Sequence, residues 1–266
     1  MTPHELLAHS DGGQPWPAGA EPATDMAAAY RQALAMRVLR LTRGERPGGY
    51  KIGFTNRTLW QRYGVFAPMW GTVWQAGLRR CEPGRPAGRL DLGHTCEPRI
   101  EPEIVFGIAR TPPAGADLQQ LFECLSWLAP GFEIVQSHRP GWKFTAADTA
   151  ADNGLHGRLL VGPTRPVGDL AADGARLHAC LAAARVSLEH EGRVVDQGCG
   201  ADVLDSPLAA LQHFLVELRA CPGAPELQPG DVVTTGTWTD AWPVQPGQRW
   251  SARFDGGLGE LSLLLD

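Results

Sequence analysis

Residues 227–265, LQPGDVVTTGTWTDAWPVQPGQRWSARFDGGLGELSLLL, decide the fold class. Short apolar runs, Val232-Val233 and Leu258–Leu265 among them, are separated by Pro229-Gly230, Gly236-Thr237 and Pro246-Gly247. Proline presets one turn torsion and glycine reaches the left-handed region, so each pair ends a strand and turns the chain. Repetition of this unit argues for a closed or rolled sheet rather than a doubly wound one. Upstream, Arg99–Gly107, Phe132–Val135, Leu159–Val161, Arg185–Glu189 and Val194-Val195 read as further strands. Helices are expected over about 117–128 and 207–218, and a loop carries Trp142-Lys143-Phe144 and Ala151–Gly154, giving an α+β chain.

Toward the N-terminus the pattern changes. Residues 1–23 are rich in Gly, Pro and Ala and read as an irregular arm. Met26, Tyr30, Ala33, Leu34, Val38 and Leu41 then recur at helical spacing, with Gly44 closing the run, which predicts an amphipathic helix. Gly48–Phe54 reads as a short strand and Arg57–Tyr63 as a brief helix. The proline-rich stretch 81–93 is the best candidate boundary, dividing an N-terminal helical arm and α/β cap, 1–80, from a second domain, 81–266.

Composition excludes several classes. The 32 Gly and 22 Pro of the 266 residues rule out a long-helix bundle, and 43% hydrophobic residues suffice for a core. A net charge of −5 with interspersed signs offers no footprint for nucleic acid. No run of 18 apolar residues occurs and no basic, apolar leader opens the chain, so neither a membrane partner nor export is expected. The six cysteines contain no C-x-x-C pair, which favours free thiols and a cytoplasmic protein.

Chemistry concentrates in carboxylates. Side chains at i and i+2 of a strand share a face, so Glu101 and Glu103 point one way, and Ile100, Ile104 and Phe106 the other. Glu133 adds a third carboxylate to an apolar strand, where a lone charge is costly. Three carboxylates without a His or Cys motif suit a hard, oxygen-seeking ion such as Mg²⁺ or Mn²⁺. The alternative is a solvated edge strand, where Pro102 would also be at home. The eight histidines lack metal-site spacing, and neither a nucleophile elbow nor a phosphate loop occurs. Trp60, Trp70, Trp74, Trp127 and Trp142 read as core or interface aromatics. Of 24 basic residues only Lys51 and Lys143 are lysine. Where arginine fills nearly every basic position, Lys51 between glycines points to a need for a compact, titratable ammonium, with an ordinary surface lysine as the alternative.

Gly49-Tyr50-Lys51-Ile52-Gly53-Phe54-Thr55, the E-P-E strand behind Arg99, Glu133–Ser137, Ala151-Asp152-Asn153, Pro229-Gly230-Asp231 and Gly236–Thr239 occur in one order. That order resembles the 2-keto-4-pentenoate hydratase and 4-oxalocrotonate decarboxylase branch of the fumarylacetoacetate hydrolase superfamily, from about Met26 to Leu264. The resemblance implies a mixed β-roll or barrel catalytic domain with a small N-terminal α/β cap, a homo-oligomer, and Mg²⁺ or Mn²⁺ held by Glu101, Glu103 and Glu133. It implies a small 2-oxo acid as ligand, Lys51 as the active-site lysine, and Ser137, Asp152, Asn153 and Thr239 lining the pocket. Two departures stand out. The branch's P-D-F-G is here Pro68-Met69-Trp70-Gly71, and its D-S-R is Gln136-Ser137-His138. Met69 cannot transfer a proton, and His138 is the candidate to compensate. The resulting expectation is a hydratase acting on a 2-hydroxydienoic acid. Decarboxylation of a 2-oxo diacid, hydrolysis of an acylpyruvate and a catalytically impaired partner subunit are the alternatives.

Overall fold

The computed structural model describes residues 1–20, 23–82 and 84–266; Glu21 and Pro22 of the expected arm and Pro83 of the expected connection lie outside them. The order is α1 (Pro3–Gly12), α2 (Met26–Thr42), β1 (Pro47–Gly53), α3 (Trp60–Tyr63), β2 (Met69–Trp74), β3 (Leu78–Arg80), β4 (Ala87–Leu90) and β5 (Arg99–Ile108). There follow α4 (Leu118–Cys124), β6 (Leu125–Val135), α5 (Ala146–Ala151), β7 (His156–Val161), β8 (Arg165–Pro166), α6 (Gly174–Ala183), β9 (Arg185–His190) and β10 (Arg193–Cys199). The chain ends with α7 (Pro207–Ala220), β11 (Val232–Thr234), β12 (Trp242–Pro243), β13 (Arg249–Phe254) and β14 (Gly259–Leu265).

One sheet runs β2-β1-β11-β5-β6-β7-β3, with β12 added on β5 and β8 on β6, and it curls into a half-barrel. A second runs β10-β9-β13-β14-β4. The rolled, mixed α+β architecture expected from the turn-punctuated C-terminus is therefore present. The two sheets meet where β14 packs on β6 and β4 on β7, and α7 packs on β1 and β2 with Leu208, Leu211, Phe214, Leu215 and Leu218, all buried at helical spacing and joined to Ile100, Ile104 and Phe106 in the main core. Among the described residues no helix is long and apolar enough to cross a membrane.

Three local expectations need correction, and the expected boundary near residue 80 is crossed by sheet pairing. The arm is not irregular over Pro3–Gly12, because Thr2 and Glu5 form a reciprocal capping box that starts α1, and Leu6, Leu7 and Trp16 bury against α2 and α5. The division at residue 80 is not one the sheets follow. β1, β2 and β3 hydrogen-bond into the same sheet as β5, β6 and β7, and β4, from the proline-rich stretch, pairs with β14. The helix expected over 117–128 stops at Cys124, since Leu125 and Leu128 already pair with Ile108 and Phe106 of β5. The loop after β6 contains α5, capped by Thr145 and Asp148.

Backbone approach fixes where β1 lies. Gly49 has φ 143°, and a Cβ there would stand 1.9 Å from the Val232 carbonyl oxygen of β11. Gly49→Ala is expected to destabilise the protein by about 1–3 kcal/mol or more through this clash and the strained torsion, read as a lower urea midpoint.

Candidate active site

The sheet register assembles the site. Glu101 of β5 lies directly opposite Glu133 of β6, and Lys51 of β1 is level with Thr234 of β11, which is level with Val105 of β5. On its β11 side, β5 pairs with β12 through Arg99–Ile100 and with β11 through Val105–Gly107, leaving 101–104 between them. Pro102, which has no N–H to give, sits in that gap, and the 235–241 segment arches over it, sending the Trp238 N–H to the Pro102 carbonyl. Glu101 and Glu103 therefore belong to a central strand. The solvated-edge alternative fails, as Glu103 and Glu133 are both 0% exposed.

One oxygen from each of Glu101, Glu103 and Glu133 lies within 4.8 Å of the others. Glu103 accepts a 2.8 Å hydrogen bond from the Gly236 N–H through Oε2, while its Oε1 is buried without a partner. Glu133 is held from two sides. Its Oε1 pairs with His156 Nδ1 at 2.7 Å, and its Oε2 lies 3.6 Å from Lys51 Nζ and 3.4 Å from Thr234 Oγ1. Lys51 is 3% exposed, which disposes of the surface-lysine alternative.

The electrostatics divide the carboxylates. Burial, reinforced by Glu133, pushes Glu101 up to about 7 despite the opposing pull of Lys51. Burial and the two neighbouring carboxylates push Glu103 well above the usual range. Burial also works to raise Glu133, but Lys51 and His156 outweigh it and hold that carboxylate low. Lys51 mirrors this: burial alone would lower it, and Glu133, Glu101 and Glu103 together hold it above its ordinary value. Burial keeps His156 below its ordinary value, so its Nδ1–H donates to Glu133. Glu133 and Lys51 thus form an ion pair, whereas Glu101 and Glu103 have no cation within ion-pair distance among the described residues, and Glu103 keeps an unpartnered oxygen. An all-oxygen donor set with two uncompensated carboxyls fits a divalent ion such as Mg²⁺ or Mn²⁺. Through Glu101 the triad reaches a cavity of about 740 Å³ that Lys51, Arg99, Met69 and Thr239 also help to line; Glu103 and Glu133 lie behind that wall.

Residues 85–263 match the fumarylacetoacetate (FAA) hydrolase C-terminal family. The chain belongs to that family. A 4-oxalocrotonate decarboxylase of a Pseudomonas species is 30% identical over 209 residues, 78% of this chain and 75% of that protein. A 2-hydroxyhexa-2,4-dienoate hydratase of Comamonas testosteroni is 30% identical over 236 residues, 88% of this chain and 84% of its own. Among solved structures, a 4-oxalocrotonate decarboxylase from Pseudomonas putida G7, complexed with magnesium and adipate, superposes with TM-score 0.85 at 24% identity. It covers 100% of this chain and 99% of that one, and shows the shared fold.

Within this fumarylacetoacetate hydrolase family member, the sequence-derived pocket set divides. Thr239 lines the cavity beside the triad. Ser137, Asp152 and Asn153 are not among the residues lining it. Ser137 Oγ accepts from the Arg139 N–H and donates to the Arg139 carbonyl. Asn153 clamps β2, accepting from the Thr72 N–H and donating to the Thr72 carbonyl at 2.8 and 2.9 Å. Asp152 pairs with His138 Nδ1 at 2.6 Å and with its N–H. His138 is buried, stacks on Trp16 and cannot stand in for the missing acid at Met69. Met69 does line the cavity, its sulfur accepting from Thr149 Oγ1. Lys143 is exposed. Sequence reasoning missed His156 and Thr234 behind Glu133, because neither lies in a motif; only the β6–β7 and β5–β11 registers bring them there.

The raised carboxyls set the pH behaviour. A group whose pKa is higher folded than unfolded favours the folded state at low pH and loses that contribution as pH rises through its folded value. The metal-free protein should therefore lose stability as pH rises from the ordinary carboxylate range, through about 7 on account of Glu101, with Glu103 adding a loss of the same sign. Metal binding, which must displace those protons, should strengthen over the same interval. Thermal melts with and without Mn²⁺ from about pH 5 to 8 check both slopes.

Proposed function

We propose that the protein is a divalent-metal-dependent lyase acting on a small 2-oxo or 2-hydroxydienoic acid, of hydratase type. The observation that carries this reading is the Glu101, Glu103, Glu133 triad with Lys51, of which Lys51 and the half-buried Glu101 line one cavity. Relatives at 30% identity named hydratase and decarboxylase support it. A bound Mg²⁺, or Mn²⁺, would supply Lewis acidity, stabilising negative charge that develops on the 2-oxo oxygen. Lys51, kept charged by the carboxylates around it, acts as hydrogen-bond donor and acid rather than base. Arg99, half-buried on the same wall, offers a guanidinium to the substrate carboxylate. Thr239 supplies a neutral hydroxyl, and the surrounding apolar side chains limit water.

Met69 favours a second reading. Water addition needs a positioned base and acid, and a thioether bonded to Thr149 offers neither. Decarboxylation of a 2-oxo diacid needs no added water and would use the same triad. The two separate on products: ultraviolet loss of a dienoate in D₂O, followed by mass measurement, shows addition of water or release of CO₂. Failure of every 2-oxo acid to react despite tight metal binding would favour a partner subunit without catalysis.

Metal binding has its own test. At a hundredfold excess over Kd, Mg²⁺ or Mn²⁺ should stabilise the protein by about 2.7 kcal/mol, a rise of about 5–10 °C in melting temperature. Glu101→Ala should abolish that rise. A wild-type melting curve indifferent to both ions would discard the reading. Six free cysteines support a cytoplasmic setting. Phe66, 81% exposed beside an apolar cleft lined by Val65, Pro68 and Ala220, supports self-association.

A further inference from the structure

The cavity has two unlike walls. Lys51, Glu101 and Arg99 form one. Phe54, Tyr63, Trp142 and Phe144 also line the cavity and form a continuous aromatic series: Phe54 to Tyr63 at 5.1 Å, Tyr63 stacked on Phe144 at 5.6 Å, and Phe144 to Trp142 at 5.8 Å. Each is only half-buried, so the rings present their surface to the cavity, and Met69, Val135 and Leu155 form the apolar floor behind them.

Two of these rings are held at a conformational cost. Phe54 and Trp142 have φ of 53° and 58°, left-handed values that bulky side chains rarely adopt. Local bonds enforce them: Trp60 Nε1 donates to the Phe54 carbonyl, and Trp142 Nε1 donates to the Glu97 carbonyl while the Gly141 N–H meets the Glu97 carboxylate. Strain of this kind persists where the surrounding structure demands a particular side-chain placement. At Trp142 the placement also puts the ring 4.1 Å from the Arg99 guanidinium, joining the apolar wall to the cationic end.

We propose that this wall seats an aryl or similarly flat apolar group carried by the substrate, so that the cavity takes a 2-oxo acid with an aromatic tail. The inference rests on the functional reading above, in which the 2-oxo acid end lies at Lys51 and the triad. A volume of about 740 Å³ is in the range that holds ligands much larger than a five-carbon acid. Stacking on fixed rings discriminates for flat groups, and the immobilised side chains lose little further entropy on binding. A second carboxylate on the tail is disfavoured. The other charged lining residues include Asp196, Asp202 and Asp240, and the remaining cation, Arg62, sits over Tyr63 at 5.5 Å on the exposed rim.

Calorimetric titration of the protein in saturating Mg²⁺ with pyruvate, 2-oxo-4-phenylbutanoate and 2-oxoadipate tests this. The phenyl acid should bind at least about tenfold more tightly than pyruvate, and the diacid no more tightly than pyruvate. Phe144→Ala should bring the phenyl-to-pyruvate affinity ratio to within about twofold of one. Equal affinities with both acids bound, a ratio untouched by Phe144→Ala, or the diacid as the tightest ligand would each overturn the aromatic subsite while leaving the functional reading standing. Binding by none of the three would overturn that reading and the subsite with it.

Discussion

Lys51→Met is expected to lower turnover by about 10²–10⁴-fold and to destabilise the metal-free protein by about 3–5 kcal/mol. The two losses share one cause. Lys51 is the cation in contact with Glu133, at 3.6 Å and with both side chains almost wholly buried. Without it, Glu133 loses its strongest stabilising neighbour and must either stay charged in an apolar strand or take up a proton. Divalent metal should recover much of the lost stability, since it supplies charge to the same carboxylates. Lys51→Arg preserves the charge and separates the chemical role from the electrostatic one. The channel is narrow: a Cβ on Gly53 would lie 3.3 Å from Lys51 Nζ, and one on Gly154 3.0 Å from its Cδ. A guanidinium is broader than an ammonium and would have to use the room these glycines leave, so arginine should also be inactive while costing less stability than methionine. Steady-state kinetics and urea titration of chelator-treated protein measure both quantities. Full turnover in Lys51→Arg would defeat the argument that an ammonium is needed here.

Much of this site could be read in the chain before its structure. The i, i+2 spacing of Glu101 and Glu103 fixed their common face, and an apolar strand around Glu133 marked an anomalous charge. The scarcity of lysine singled out Lys51, and the rolled sheet followed from the Pro-Gly turns. What could not be read was long-range register. His156 reaches Glu133 only because β7 pairs with β6, and the Gly236 N–H reaches Glu103 only because the chain leaves the sheet between β11 and β12. Asp152 and Asn153 sit in a recognisable segment, yet their side chains are spent on His138 and Thr72. Sheet pairing across residue 80 was hidden for a related reason: composition shows where the chain turns, and sheet partners separated by more than a hundred residues leave no local trace. Trp142, read as a core or interface ring, instead lines the cavity, because a left-handed torsion turns it there.

Glu103→Gln and Glu133→Gln should shift stability in opposite directions although both remove one carboxylate from the same triad. In the metal-free protein Glu103 is a buried carboxyl with no cation of its own and one unpartnered oxygen. Glutamine keeps an acceptor for the Gly236 N–H, offers its amide hydrogens to Glu101 and Glu133, and removes the cost of ionising a buried carboxyl beside two others. Stability at neutral pH should hold or rise by up to about 1–2 kcal/mol. Glu133 is the opposite case, because it anchors both Lys51 and His156. Glutamine there can still accept from His156 Nδ1, but it leaves Lys51 without its contact ion. Glu101, held near 7, can ionise and take up part of that charge, so the expected cost is about 2–3 kcal/mol rather than the full penalty for breaking a buried pair. Both variants should lose the metal-induced rise in melting temperature, since each removes an anionic oxygen donor. Denaturation of the three proteins with chelator and with Mn²⁺ reads all of these signs. Equal destabilisation of both metal-free variants would mean that Lys51 is shared evenly among the carboxylates, and the assignment of Glu133 as its ion-pair partner would be withdrawn.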